Sequence, residues 1–139
     1  MVLYIETSAV LAWLFGEDAA DAVIGAINSH ENIVTSVLTV LEIDRGLNRA
    51  ACTAVISEVQ AGRLRKLSRE QLRGWELMEI TREVRDRAGK PFPAEPVRSL
   101  DAIHLATGLQ FLEIYDDVHF LSLDKRIREN LEPLGFSHP

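Results

Sequence analysis

The stretch VLYIETSAVLAWL, residues 2–14, decides how the chain is read. VLYI is a short, fully apolar run of β-formers, as expected of a central parallel strand covered on both faces. It stops at a carboxylate, Glu6, and Thr7 and Ser8 follow at once, with hydroxyls that suit the free amides of a helix start. A strand that needed only a stop has glycine or asparagine available, so an acid here asks for another reason. The helix predicted next carries Val10, Leu11 and Leu14 and ends at Gly16.

Working outward, EDAADAVIGAINS places Ala20, Val23, Ile24 and Ile27 at helical spacing behind early acids. NIVTS at 32–36 reads as a second strand, with Ser36 capping a helix through Leu47. A further helix is predicted at about 49–61, closed by Gly62, and RLRKLS as a brief edge strand. Ser68 and Gln71 form a capping-box pattern before a long helix with Leu77, Ile80, Val84 and Ala88 inward. GKPFPAEPV at 89–97 has three prolines and reads as a connecting loop or a mobile lip. SLDAIHLATGLQFLEI is a largely buried helix, DVHFLSLD contains a strand at about 118–122, and KRIRENL is a short helix stopped by Pro133 and Gly135. Phe136 starts a final edge strand. Strands alternating with helices predict a three-layer α/β/α fold around a parallel sheet of four to five strands, one domain over residues 1–139. In such sheets ligands gather beyond the carboxyl ends of the strands, which is where Glu6 falls.

The bulk properties fit that reading. With 139 residues, 47% hydrophobic and 26% charged, the chain has the balance of one globular domain. No apolar run approaches the roughly 20 residues that span a bilayer, and the N-terminal stretch, with an acid at position 6, reads as a poor secretory signal. A single cysteine, Cys52, excludes an internal disulfide and suits a reducing cytoplasm. The net charge of −6 is lopsided. Residues 1–44 hold seven acids and no Lys or Arg; residues 45–90 hold 11 Lys/Arg against six acids; residues 91–139 hold four against eight. A basic middle between acidic ends is either a set of solvated helix faces or a positive flank beside a negative site.

Four acids stand among apolar residues, where a lone carboxylate is costly to desolvate. These are Glu6 after VLYI, Glu42 in SVLTVLEIDRGL, Asp101 in SLDAIHLATGL and Asp124 at the end of HFLSLD. Each also has a structural reading: Glu6 and Asp124 as helix caps, Glu42 on a polar helix face beside Asp44 and Arg45, Asp101 as a cap or partner of Arg98. His104 reads as a hydrogen-bonded core histidine rather than a ligand. If the four converge, their repulsion calls for a cation, and an oxygen-rich donor set suits Mg²⁺ or Mn²⁺. Ser8 and Ser122 offer hydroxyls nearby.

Taken together, YIETSAVLAWL, TSVLTVLEIDRGL, SLDAIHLATGL and FLSLDKRIRENLEPLGF resemble the four motifs of the PIN-domain family, in order and over essentially the whole chain. Within it they resemble the VapC-type toxin ribonucleases of toxin–antitoxin pairs. The resemblance implies a divalent-metal-dependent endoribonuclease in which Glu6, Glu42, Asp101 and Asp124 hold one or two Mg²⁺ or Mn²⁺ ions beside an RNA phosphodiester, supported by Ser8 and Ser122. It also implies tRNA-like substrates, a homodimer and a VapB-type antitoxin. One residue departs from the pattern: the family's first acid is normally aspartate, and here it is Glu6. The added methylene supports a second reading, a PIN-like protein that binds RNA or antitoxin with weak or no catalysis. The basic middle then supplies Arg45, Arg49, Arg65 and Lys66 as phosphate contacts, extended by Arg63, Arg69 and Arg73. Trp75 reads as a core or dimer residue, or as a base-stacking one. A phosphotransferase with an aspartyl nucleophile is disfavoured by glutamate at the first strand end. A DNA nuclease shares the same chemistry.

Overall fold

A computed structural model describes residues 1–139. The elements run β1 (Val2–Ile5), α1 (Thr7–Leu14), α2 (Ala20–Ser29), β2 (Asn32–Ser36), α3 (Val37–Cys52), α4 (Glu58–Leu72), β3 (Glu76–Met78), α5 (Arg82–Ala88), α6 (Ser99–Tyr115), β4 (Val118–Leu121) and α7 (Lys125–Leu134). All four strands are parallel, in the order β3-β2-β1-β4. A single bridge from His119 to Ser137 begins a fifth strand beside β4. No helix is long and apolar enough to cross a membrane.

Strand β1 is buried along its whole length because it is central and covered on both sides. Its side chains alternate between two cores with the period of a strand. Val2 and Tyr4 pack with Phe120, Leu105, Phe111 and Ile127, under α6 and α7. Leu3 and Ile5 pack with Val10, Ile27, Ile43 and Leu47, under α1, α2 and α3. These are the three layers expected. Gly108 lets α6 press close to the sheet, since a Cβ there would lie 2.8 Å from a Phe120 ring carbon and 3.0 Å from Phe136. Trp75 is buried in the second core, so it has no face for a base.

The middle of the chain departs from the sequence reading. Helix α3 continues to Cys52, and α4 is a separate helix opened by a true capping box, Ser57 with Gln60. Gly62 lies inside α4 rather than at a helix end, and RLRKLS is helical, with Ala61, Ser68 and Leu72 turned inward at helical spacing. Ser68 is no cap: its hydroxyl donates back to the Arg65 carbonyl at 2.8 Å. Where a long helix was expected, the chain instead forms β3 and then the short α5, capped by Thr81. Helix α7 carries Pro133 within its last turn and ends at Gly135, whose φ of 95° is left-handed.

The proline-rich segment is held in place. Phe92 is buried with the Arg87 guanidinium 4.4 Å over its ring, and the buried Asn130 of α7 receives the Ala94 amide at 2.8 Å and donates to its carbonyl at 3.0 Å. That pins it as a connecting loop.

Candidate active site

Glu6 extends β1 by one residue, its amide donating to the Leu121 carbonyl at 3.0 Å. It occupies the cap position of α1, but its side chain does not cap; neither Thr7 nor Ser8 does so either. Instead the carboxylate is 95% buried at the strand end, and its Oε2 accepts from both the Ser8 and the Ser122 hydroxyls, the latter at 2.7 Å. Ser8 accepts in turn from the Leu123 amide at 2.9 Å and Ser122 from the Asp124 amide at 3.1 Å. The two serines picked from the sequence therefore both grip the first acid. They also tie it to the turn that carries the fourth.

Glu42 lies in the second turn of α3 and is reached from two other helices. Its Oε1 accepts from the Thr7 hydroxyl at 2.7 Å and from His104 Nε2 at 2.6 Å. His104, fully buried on α6, has its other ring nitrogen 2.8 Å from the Tyr4 hydroxyl, so both nitrogens are engaged. That makes it a hydrogen-bonded core histidine, as expected. Burial pushes the Glu42 carboxyl up, but the hydrogen bond and electrostatic attraction of His104, with the Thr7 hydroxyl, outweigh it and hold the group below the usual carboxylate range. Glu42 is thus ionised at neutral pH. Burial, with the Glu6 charge next, pushes the Tyr4 phenol well up, so Tyr4 stays protonated.

The two aspartates are held differently. Asp124 caps α7, its Oδ1 accepting from the amides of Arg126 at 2.9 Å and Ile127 at 3.1 Å. Asp101 sits in the first turn of α6, with Oδ2 3.3 Å from Arg98 Nε. The same guanidinium lies 3.8 Å from Asp124 Oδ2. One cation therefore spans both acids.

A pattern emerges from the partners. Glu6 and Glu42 each have one oxygen saturated by two side-chain donors and the other, Oε1 and Oε2 respectively, free of protein donors. Asp101 Oδ1 is likewise free. Carboxylates pinned by one oxygen and open at the other are prepared for an external ligand. The donor set is all oxygen, as a hard ion prefers, and the Arg98 guanidinium shows that Asp101 and Asp124 together accept a cation. As the side chains stand, no three of these groups close on a single point. An ion would have to draw them in by rotamer changes.

The basic residues of α3 and α4 divide. Arg45, Arg49 and Lys66 are exposed, and Arg49 borders a hollow of about 570 Å³ with Leu11, Phe15 and Val55. Arg65 and Arg69 turn toward Asp44 of α3: Arg65 at 3.4 Å, with Asn48 at 2.8 Å, and Arg69 in a close ion pair. Asp44 offsets one of these two charges. Four residues of the site were not singled out as functional in the sequence: Tyr4, Thr7, His104 and Arg98. The only local signals for them were the hydroxyl directly after Glu6 and the positions three residues before and after Asp101.

Comparison with known proteins identifies the family and the fold. The PIN domain family model matches residues 3–130. The chain is 30% identical over 135 residues to Ribonuclease VapC46 of Mycobacterium tuberculosis, covering 97% of this chain and 94% of that one. It is 29% identical over 138 residues to Ribonuclease VapC35 of the same species, covering 98% and 94%. Among solved structures, the crystal structure of VapBC2 from Rickettsia felis bound to a DNA fragment from their promoter superposes with a TM-score of 0.69. That match covers 99% of this chain and 98% of the other at 8% identity, so it speaks to the fold.

Proposed function

The chain belongs to the PIN-domain family, and on that premise we propose that it is a divalent-metal-dependent endoribonuclease, the toxin of a VapB–VapC-type pair. The observation that carries the proposal is the set of four held carboxylates, three of them with one oxygen free of protein donors, and a guanidinium spanning two of the four. The naming of its relatives as VapC ribonucleases supports the substrate class.

In this reading Glu6, Asp101 and Asp124, with Glu42, hold Mg²⁺ or Mn²⁺. When bound, such an ion polarises a phosphoryl oxygen and makes water a better nucleophile. The remaining roles belong to the protein. Ser8 and Ser122 hold Oε2 of Glu6 and leave Oε1 free for a ligand. Thr7 and His104 orient Glu42, whose ionised Oε2 accepts a hydrogen bond from water. The cap of α7 fixes Asp124. Arg45, Arg49 and Lys66 contact RNA phosphates, with Arg65 the weakest of the predicted four because Asp44 already neutralises it. Residues 1–139 form one PIN domain that works in the cytoplasm as a homodimer silenced by its antitoxin.

The extra methylene of Glu6 motivates a second reading, a PIN-like protein that binds RNA or antitoxin with little turnover. The two are separated by incubating purified protein with RNA and Mn²⁺ or Mg²⁺. The nuclease reading expects cleavage that stops in EDTA and is lost in Asp101→Asn. Equal cleavage by parent and variant, or cleavage undiminished in EDTA, overturns it.

A further inference from the structure

Arg98 is the one Lys or Arg in ion-pair contact with any of the four carboxylates, and its geometry is unusual for a structural ion pair. Its backbone is fixed: it sits in the cap position of α6, and its carbonyl accepts from the Ala102 amide at 2.8 Å. The side chain is 68% exposed, against 13% for Asp101 and 29% for Asp124. Nε reaches one aspartate at 3.3 Å and Nη2 the other at 3.8 Å, so the fork is split between two acids rather than matched to one. Each contact engages an oxygen that no other protein group uses, since Asp124 spends its Oδ1 on the helix cap.

A permanent clamp would be buried and bidentate. This guanidinium is exposed and loosely shared, yet it relieves the repulsion between two aspartates that one cation can reach together. We propose that Arg98 is a displaceable counter-cation: it neutralises Asp101 and Asp124 until a divalent ion takes their oxygens, and the released guanidinium then binds a phosphate of the RNA strand. The planar fork suits a phosphate better than two diverging carboxylates. Its fixed backbone keeps the freed side chain beside the site. The inference rests on the metal-dependent nuclease reading and adds to it an ion-linked phosphate contact.

The test uses the full chain with Arg98→Gln and Arg98→Lys, after confirming unchanged melting temperatures. Mn²⁺ binding is measured calorimetrically without RNA. Removing the competitor should tighten Mn²⁺ binding in Arg98→Gln by about two- to fivefold, the scale of one exposed ion pair. Binding of a short fluorescein-labelled single-stranded RNA is measured by polarisation in Ca²⁺. There Arg98→Gln should weaken binding by at least about threefold and lower the salt slope by roughly 0.7, one phosphate contact. Arg98→Lys, which keeps the charge without the fork, should fall between the two in RNA binding.

Unchanged or weaker Mn²⁺ binding in Arg98→Gln overturns the proposal in favour of a structural clamp. Tighter Mn²⁺ binding with unaltered RNA affinity overturns the hand-over to phosphate. A parent protein that binds no Mn²⁺ at all overturns the nuclease reading together with this one.

Discussion

Replacing Glu6 by aspartate restores the residue usual in the family, and the structure predicts that it harms the protein. Glu6 Oε2 receives two hydroxyls, from Ser8 and from Ser122 at 2.7 Å. Shortening the side chain by one methylene withdraws the carboxylate by about 1.5 Å, taking the Ser122 contact beyond hydrogen-bond range. Hydrogen bonds to a charged group contribute roughly 1.5–3 kcal/mol each. The serines lie 3.4 Å apart and each still accepts a backbone amide, so they partly re-pair. A net loss of about 2 kcal/mol follows, or roughly 4–8 °C in melting temperature at this chain length. A misplacement on the ~1 Å scale can cost about a hundredfold in rate, so kcat for RNA cleavage in Mn²⁺ should fall by at least about tenfold. Calorimetric melting and a gel-based cleavage assay read the two effects separately. A Glu6→Asp protein that melts no lower and cuts faster than the parent would refute the reasoning and identify Glu6 as an attenuating residue.

Other perturbations follow from single contacts. His104→Leu strips one donor from Glu42 and strands the buried Tyr4 hydroxyl, so it should cost about 1–3 kcal/mol in urea unfolding and lower kcat more than it raises KM; His104→Gln should recover part of kcat. Gly108→Ala drives a Cβ into Phe120 and Phe136 and should destabilise by about 1–3 kcal/mol, visible as a lower melting temperature. His119 gives a pH dependence of its own. Burial, then the His30 ring 2.7 Å away, hold its imidazole below the ordinary histidine value, while Asp117 partly opposes them and the chain's amino terminus adds to them. The unfolded chain therefore takes up the proton first. Stability is complete above the ordinary histidine range and is lost as pH falls through it toward the lowered folded value. Urea midpoints at pH 7.5 and 5.5 should show that loss in the parent and a smaller one in His119→Gln.

The outer plan of the fold was legible because its elements have strong, separate signals. VLYI, NIVTS and the strand before Asp124 are apolar runs ended by turn or cap chemistry, and SLDAIHLATGL is apolar on nearly every face, as a helix packed under a sheet must be. Residues 49–80 carry isolated cues that conflict with the helix they form. Gly62 and Ser68 look like a stop and a start, yet both lie inside α4, which the Ser57–Gln60 box and inward Ala61 and Leu72 sustain. Strand β3 has only three residues, mostly exposed, too few for a period to show. The four acids were legible as carboxylates out of place at strand ends and on apolar helices. Their holders were not, because Tyr4 with His104 and Glu6 with Ser122 are paired across 100 or more residues. The sequence also showed a basic stretch without showing that Asp44 neutralises part of it.

The most direct test soaks Mn²⁺ into crystals of the parent protein and locates it by anomalous scattering. The account predicts a peak beyond the carboxyl end of β1, with oxygens of Glu6, Asp101 and Asp124 drawn in to about 2.1 Å and Arg98 turned away from them. Crystals in Mn²⁺ that bind the ion elsewhere, or leave Arg98 on Asp101 and Asp124, would contradict it.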